Sequence, residues 1–470
     1  MIDSPPAPPE TGEDLLANIQ EAVAAGDAAR AQACAARMLE DDALALLEDL
    51  QPQELTVLFS ILGDEALADL LARLDEHDAA RILSRMTVAQ VADILEEVDP
   101  DDAADILDEV DPAVAETYLI EMEPAEAAEL RELMAYPPDT AGGIMTPAFV
   151  AIAPDLRADE TVDALRRVAE EAETISYVYV VDPEEHLLGV LSLHALVLTG
   201  PETPVRDIMI RDAIRVPVDA DQEVAAHLLT DHNLMALPVV DADNKLVGII
   251  TADDVADVLE DEATEDIALL GGSQPLDEPY LRASPILLFR KRIVWLIVLF
   301  FGQFLTIAVL QHYEAEIETL VVLSVFIPIL IGTGGNVGSQ TVTTLIRAMA
   351  VDDVRPRHIF RVVRKEIATG LALGAVMATL MFARGLIADD GGFKLGITVG
   401  LSVLGIVVWS ATVASILPLI LSKFRIDPAV VSAPLITSLV DGTGLIIYMT
   451  LAQVFLLSCL VRSARANLGP

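Results

Sequence analysis

Five apolar runs in the C-terminal part of the chain constrain its fold more than any other feature. Residues 293–311, 319–346, 367–383 and 395–422 carry no charge, and the run from Pro434 to Leu460 carries one, Asp441. A helix that crosses a bilayer needs about 20 mostly apolar residues, so each run reads as one span. The fifth, "PLITSLVDGTGLIIYMTLAQVFLLSCL", poses the main question. A lone Asp near the centre of a span costs about 2.5–3.5 kcal/mol on insertion scales and persists where it faces water or a cation.

Charge is segregated along the chain. Of 74 acidic and 29 basic residues, 64 and 17 precede residue 293, leaving 10 and 12 in the apolar part. An acidic soluble part therefore precedes a membrane part. Its negative field disfavours nucleic acid and anionic lipid as partners and favours small cations. Cys34 and Cys459 lie one in each part, so no disulfide framework is expected and a reducing cytosol fits. The first 15 residues are Pro- and acid-rich, unlike a signal peptide.

An odd number of spans places the two ends on opposite sides. Arg290, Lys291 and Arg292 precede the first span, six basic residues from Arg347 to Lys365 separate the second from the third, and Lys423 and Arg425 precede the fifth. Arg384, Lys394, Arg462 and Arg465 fall on the other side. The positive-inside rule predicts an acidic N-terminal part in the cytoplasm and a C-terminus outside.

From Leu70 to Met134 apolar pairs recur every 12 residues: Leu70-Leu71, Ile82-Leu83, Ile94-Leu95, Ile106-Leu107 and Tyr118-Leu119, with prolines at 100, 112 and 124. Each unit reads as a short helix whose Pro opens the next one, and units that bury a face only on their neighbours build a small solenoid. Its acidic face reads as a solvated surface.

After "YPPDTAGG" a second repeat appears. Met145 answers Met209, Val180-Val181-Asp182 answers Val239-Val240-Asp241, and Gly189 answers Gly248. This resembles a tandem pair of CBS domains over residues 141–258. In that family a Gly-h-h-[Ser/Thr]-x-x-Asp motif, with h an apolar residue, sets a hydroxyl and a carboxylate on an adenosine ribose. Gly248 to Asp254 keeps the pattern, with Thr251 and Asp254 in those roles; the first repeat has Ser192 but Ala195 in place of the Asp. Two readings apply to Thr251 and Asp254, an ATP-type nucleotide site or a helix cap.

In the second span, Gly332, Gly334, Gly335 and Gly338 fall within seven residues of "GTGGNVGSQT". Its 28 uncharged residues would reach about 42 Å as a helix against a hydrocarbon core of about 30 Å, so a break there is tolerable. Close helix packing explains the glycines alone; Asn336 asks for a partner or a pore. Asp441 lies about 10 Å inside the cytoplasmic end of its span at 1.5 Å per residue.

The motifs "GTGGNVGSQ" and "PLITSLVDGTG", together with the order of segments, resemble the MgtE magnesium channels over essentially the whole length. The resemblance implies a multidomain protein: an all-α superhelical domain (1–140), two α/β CBS domains (141–200 and 201–258), an acidic connecting helix and linker (259–292), and a five-helix transmembrane pore domain (293–470). It implies a homodimer in the bacterial inner membrane whose pore is lined by the second and fifth spans, with Asp441 as the selectivity carboxylate and Asn336, Gly335, Thr437 and Gly444 beside it. It further implies that Mg²⁺, the substrate, also binds Asp254, Asp257, Glu262, Glu265, Asp266 and Asp427 in the cytosol and closes the pore. Ala433 departs from the Asn that commonly precedes Pro434 in the family, which bears on packing at the gate. Chemistry agrees: Mg²⁺ keeps several waters and is held through one or two carboxylates.

Three other readings stand beside this one. An ion-coupled carrier for Mg²⁺ or Co²⁺ fits the same residues. A membrane-tethered nucleotide sensor leaves Asp441 unexplained. An intramembrane aspartyl protease needs two aspartates sharing a proton, and no span carries a second one; no enzyme activity is expected.

Overall fold

The computed structural model describes residues 12–49, 52–168, 172–276, 280–319, 321–351, 353–388, 392–424 and 426–457. The chain forms two compact units, Met1–Asp261 and Glu262–Pro470.

In the first unit the 12-residue period becomes six helices that begin 12 residues apart: Asp64–Leu71, Glu76–Leu83, Val88–Leu95, Pro100–Asp108, Pro112–Glu121 and Pro124–Leu133. Three start with proline at the first helical position, where the missing N–H costs nothing. Others are closed by side chains. Asp75 accepts from the His77 N–H, and Thr87 and Gln90 form a capping box. All five apolar pairs are buried. Each helix touches the one two places on, so alternate helices stack in two rows. Three more helices on the same 12-residue spacing, Ala28–Ala35, Glu40–Asp49 and Pro52–Leu62, precede them, after a first helix, Gly12–Ala25, that is off it.

The second repeat folds as two three-stranded sheets of identical topology. In the first, β1 (Ala151–Ile152) runs parallel to β2 (Tyr177–Val181), which pairs antiparallel with β3 (Leu187–Ser192). β4 (Val216–Pro217), β5 (Ala236–Val240) and β6 (Leu246–Thr251) repeat this arrangement. Contacts between the repeats are exchanged in pairs. Thr146 bridges to Ile249 and Val190 to Ile210, which are equivalent positions. A Cβ on Gly248 would meet Met145 Sδ at 2.6 Å, and one on Gly189 would meet the Ile210 carbonyl oxygen at 2.6 Å and Met209 Sδ at 3.2 Å. The methionine and glycine echoed in sequence thus pack crosswise, each Met on the other repeat's Gly. An acidic helix, Ala252–Leu270, follows β6.

Among the described residues, the second unit has five helices long and apolar enough to span a membrane: Pro285–His312, Val322–Ala350, Pro356–Ile387, Phe393–Lys423 and Ala433–Leu456. Of the two readings the sequence left open for the second span, a break or close packing, the structure shows the second: the helix runs unbroken through the glycine run. The reason is packing. A Cβ on Gly334 would sit 2.6 Å from Ile406 Cγ2, and one on Gly338 would sit 2.5 Å from Ile436 Cγ2. The glycines admit the fourth and fifth spans against an intact helix, and the Ser410 hydroxyl donates to the Gly334 carbonyl at 2.6 Å. The first span is mostly uncovered, with Phe300, Phe301 and Val294 exposed.

Candidate ion pathway and acidic clusters

Asp441 lies inside the fifth span and is half-buried. The Gln303 amide of the first span lies beside it. One turn earlier, Ser438 accepts from Gln303 Nε2 at 3.3 Å, and Thr437 Oγ1 lies 3.4 Å from Ser339 Oγ of the second span. Phe300, Gln303, Ser339, Pro434, Thr437 and Ser438 line a groove of about 490 Å³. Asn336 is exposed on the second span. Polar groups at this depth need a protein partner or a wet cavity. Gly335 and Gly444 are buried at helix contacts: a Cβ on Gly335 would sit 2.9 Å from Thr437 Cγ2, and one on Gly444 would sit 3.4 Å from Ile406. Their place is to bring the second, fourth and fifth spans together.

The six carboxylates expected to hold Mg²⁺ fall into two groups. In the first unit, Asp254 is joined by residues the sequence reading passed over: Asp99, Asp101, Asp102 and Asp105 from the solenoid, and Glu173 and Asp253. Burial and mutual repulsion push Asp101 up to about 7, Asp102 and Asp105 up to about 8 and Glu173 up to about 7. Asp254 and Asp257 are raised as well, chiefly by burial. The expectation of a solvated acidic face is therefore corrected for this helix. Asp101 is 8% exposed, and its Oδ1 is buried with no hydrogen-bond partner. The signal was present in "PDDAADILD", where Asp101 and Asp105 stand four apart on one helix face.

In the second unit, Asp266, Glu262 and Asp427 form the other group. Burial and the Asp427 and Glu262 charges push Asp266 up to about 6, with Arg347 opposing them. Asp427 also accepts from the Ala429 N–H at 2.7 Å, closing the turn before the fifth span. Glu265 is exposed. Both groups are all-oxygen and anionic, the donor set a hard divalent cation takes, and the orphaned Asp101 oxygen fits such an ion.

Thr251 and Asp254 bond each other. Thr251 Oγ1 donates to Asp254 Oδ2 at 2.6 Å and its N–H donates to the same oxygen at 3.2 Å, which is the helix-cap arrangement. An open cleft of about 500 Å³ lies instead at the first repeat, lined by Ser176, Tyr177, Ser192, His194 and Met235 among others.

Comparison with known proteins follows these divisions. The family model described as divalent cation transporter matches residues 327–451, that of the MgtE intracellular N domain matches 38–139, and the CBS domain matches 141–199 and 205–261. The magnesium transporter MgtE of Thermus thermophilus is 43% identical over 329 residues, covering 70% of this chain and 73% of the relative. The chain belongs to the MgtE family. The MgtE of Enterococcus faecalis is 37% identical over 332 residues, 70% of this chain and 72% of the relative. A crystal structure of the soluble part of a magnesium transporter superposes with a TM-score of 0.51 at 33% identity, covering 54% of this chain and all of that one. The multidomain architecture combines a helical domain, a CBS pair and a membrane domain in contact with lipid.

Proposed function

We propose that this protein carries Mg²⁺ into the cell through a pore built by two copies of the chain, and that Mg²⁺ accumulating in the cytosol closes it. The observation that supports this most is Asp441: a carboxylate inside an apolar span, beside a groove lined by Gln303, Ser339, Thr437 and Ser438. One carboxylate per chain, with Asn336 exposed on the neighbouring span, suits a path completed across a two-fold axis. Two such carboxylates would attract a hydrated divalent cation without trapping it.

Closure draws on the acidic groups. In the absence of cation, Asp101, Asp102, Asp105 and Asp254 repel one another, and Mg²⁺ relieves that repulsion in the arrangement that holds them together. The ion thereby binds the compact state more tightly, the differential affinity that gating requires. At Asp266, Glu262 and Asp427 the same ion would fix the end of the acidic helix near the start of the fifth span. The basic residues flanking the first, second and fifth spans support a cytoplasmic position for these groups.

The test is Mg²⁺ uptake by proteoliposomes of the purified full chain, with Mg²⁺ varied on the side of residues 1–261. Uptake that falls as Mg²⁺ rises there, and persists in matched KCl, supports the proposal. Uptake indifferent to that Mg²⁺ overturns the gating part. Single-channel recording separates a pore from an ion-coupled carrier. For nucleotide, the open cleft favours the first repeat over Thr251 and Asp254. ATP titration should lose affinity in Tyr177→Ala and keep it in Thr251→Val; the reverse would return the site to the second repeat.

A further inference from the structure

The first span carries a side-chain amide near its middle, Gln303, and a second, Gln311, at its end. Its neighbours Phe300, Phe301 and Phe304 form an edge-to-face cluster on the uncovered face. Gln303 instead is half-buried against the fifth span. Two close approaches set that register. Gly302 faces Ser438, whose Cβ would lie 3.8 Å from a Cβ added at 302, and a Cβ added at Gly442 would meet Leu305 Cγ at 2.8 Å. Between these contacts, Nε2 of Gln303 donates to Ser438 Oγ at 3.3 Å, and the same amide lies beside Asp441, one turn further along the fifth span. A Gln amide nitrogen has two N–H donors. Ser438 and Asp441 stand three apart on one helical face, so one amide reaches both.

We propose that Gln303 is a positioning residue for ion selection, holding the Asp441 side chain in one orientation toward the pathway. The proposal rests on the reading of Asp441 as the ion-facing carboxylate. An N–H donor beside the carboxylate favours one orientation, in which Asp441 meets Mg²⁺ through the water that ion keeps. Ca²⁺ is larger and accepts flexible carboxylate ligands at varied geometry, and gains from a carboxylate that swings freely. Loss of the donor should therefore relax the preference for Mg²⁺ over Ca²⁺ more than it lowers total flux.

The experiment measures Mg²⁺ and Ca²⁺ flux in proteoliposomes of the full-length protein, for wild type, Gln303→Met and Asp441→Asn. Gln303→Met keeps the volume and removes the donors. The expected result is a Ca²⁺ to Mg²⁺ flux ratio raised about tenfold, the scale of one hydrogen bond to a charged group, with an unchanged size-exclusion profile. Asp441→Asn should lose selective flux altogether. A wild-type ratio in Gln303→Met beside a defective Asp441→Asn overturns the role of Gln303 and leaves the pathway standing. Wild-type behaviour in both overturns both. Should Gln303→Met fail to fold, Gln303→Glu keeps the shape and replaces the donors with acceptors. A raised ratio there supports the proposal and a wild-type ratio overturns it.

Discussion

The indole Nε1 of Trp295 donates to Ser432 Oγ at 3.0 Å, tying the first span to the residue that caps the fifth. The same oxygen accepts from the Leu435 N–H at 3.3 Å. On its other side the ring meets Gly272, just past the acidic helix, whose φ is +73° and where an added Cβ would lie 2.5 Å from Trp295 Cδ1. A chain of contacts therefore runs from the end of the acidic helix to the start of the helix bearing Asp441.

If that chain transmits closure, Trp295→Phe should keep maximal flux and raise the Mg²⁺ concentration that half-closes the pore several-fold. Gly272→Ala combines a left-handed backbone with a clash and should act more strongly. Concentration–response curves for uptake against cytosolic-side Mg²⁺ check both. Unchanged curves would show that the contact only packs.

The carboxylates around Asp254 make stability depend on pH in a stated direction. Asp101, Asp102 and Asp105 are raised from 3.8 to about 7 or 8 in the folded protein. The folded state therefore holds protons that the unfolded chain releases. That contribution is complete below about pH 4 and is lost as pH rises through 7 to 8. The melting temperature of residues 1–261 should fall by several degrees between pH 6 and 9, since about 1 kcal/mol moves a midpoint by roughly 2–4 °C at this size. Mg²⁺ should flatten the slope by replacing the protons, and KCl of equal ionic strength should not. Equal effects of the two salts would mean simple screening.

Glycines of the second span divide by their surroundings. Gly338→Ala should destabilise by about 1–3 kcal/mol through overpacking against Ile436 and Ser410. Gly332→Ala, with nothing within 4 Å of the new methyl group, should be neutral or slightly stabilising. Thermal melts of the detergent-solubilised protein followed by size exclusion measure the difference.

Periodic features were the legible ones. Prolines and apolar pairs at 12-residue spacing are local signals, and the helices begin on that spacing. The Met145/Met209 and Gly189/Gly248 echo announced two like folds, but only the folded chain shows each Met resting on the other repeat's Gly. What the sequence hid depends on distant packing. The burial of Asp101 is set by the elements that cover it, not by its own helix, so an acidic face that looked solvated is partly closed. The glycine run permits a break or a tight contact equally well, and Ile406, Val440 and Ile436 decide for contact. Gln303 is an ordinary polar interruption of an apolar run until Ser438 and Asp441, 135 and 138 residues later, come within its reach.

The central claim is that Asp441 meets the ion, and the most direct test is Mg²⁺ flux through Asp441→Asn, which keeps the volume and removes the charge. Purified wild type and variant would be compared in proteoliposomes, with Ca²⁺ as competitor and size exclusion as the check on assembly. The account predicts an assembled protein whose selective Mg²⁺ flux is lost or severely reduced. Wild-type flux and wild-type preference for Mg²⁺ over Ca²⁺ in Asp441→Asn would contradict it.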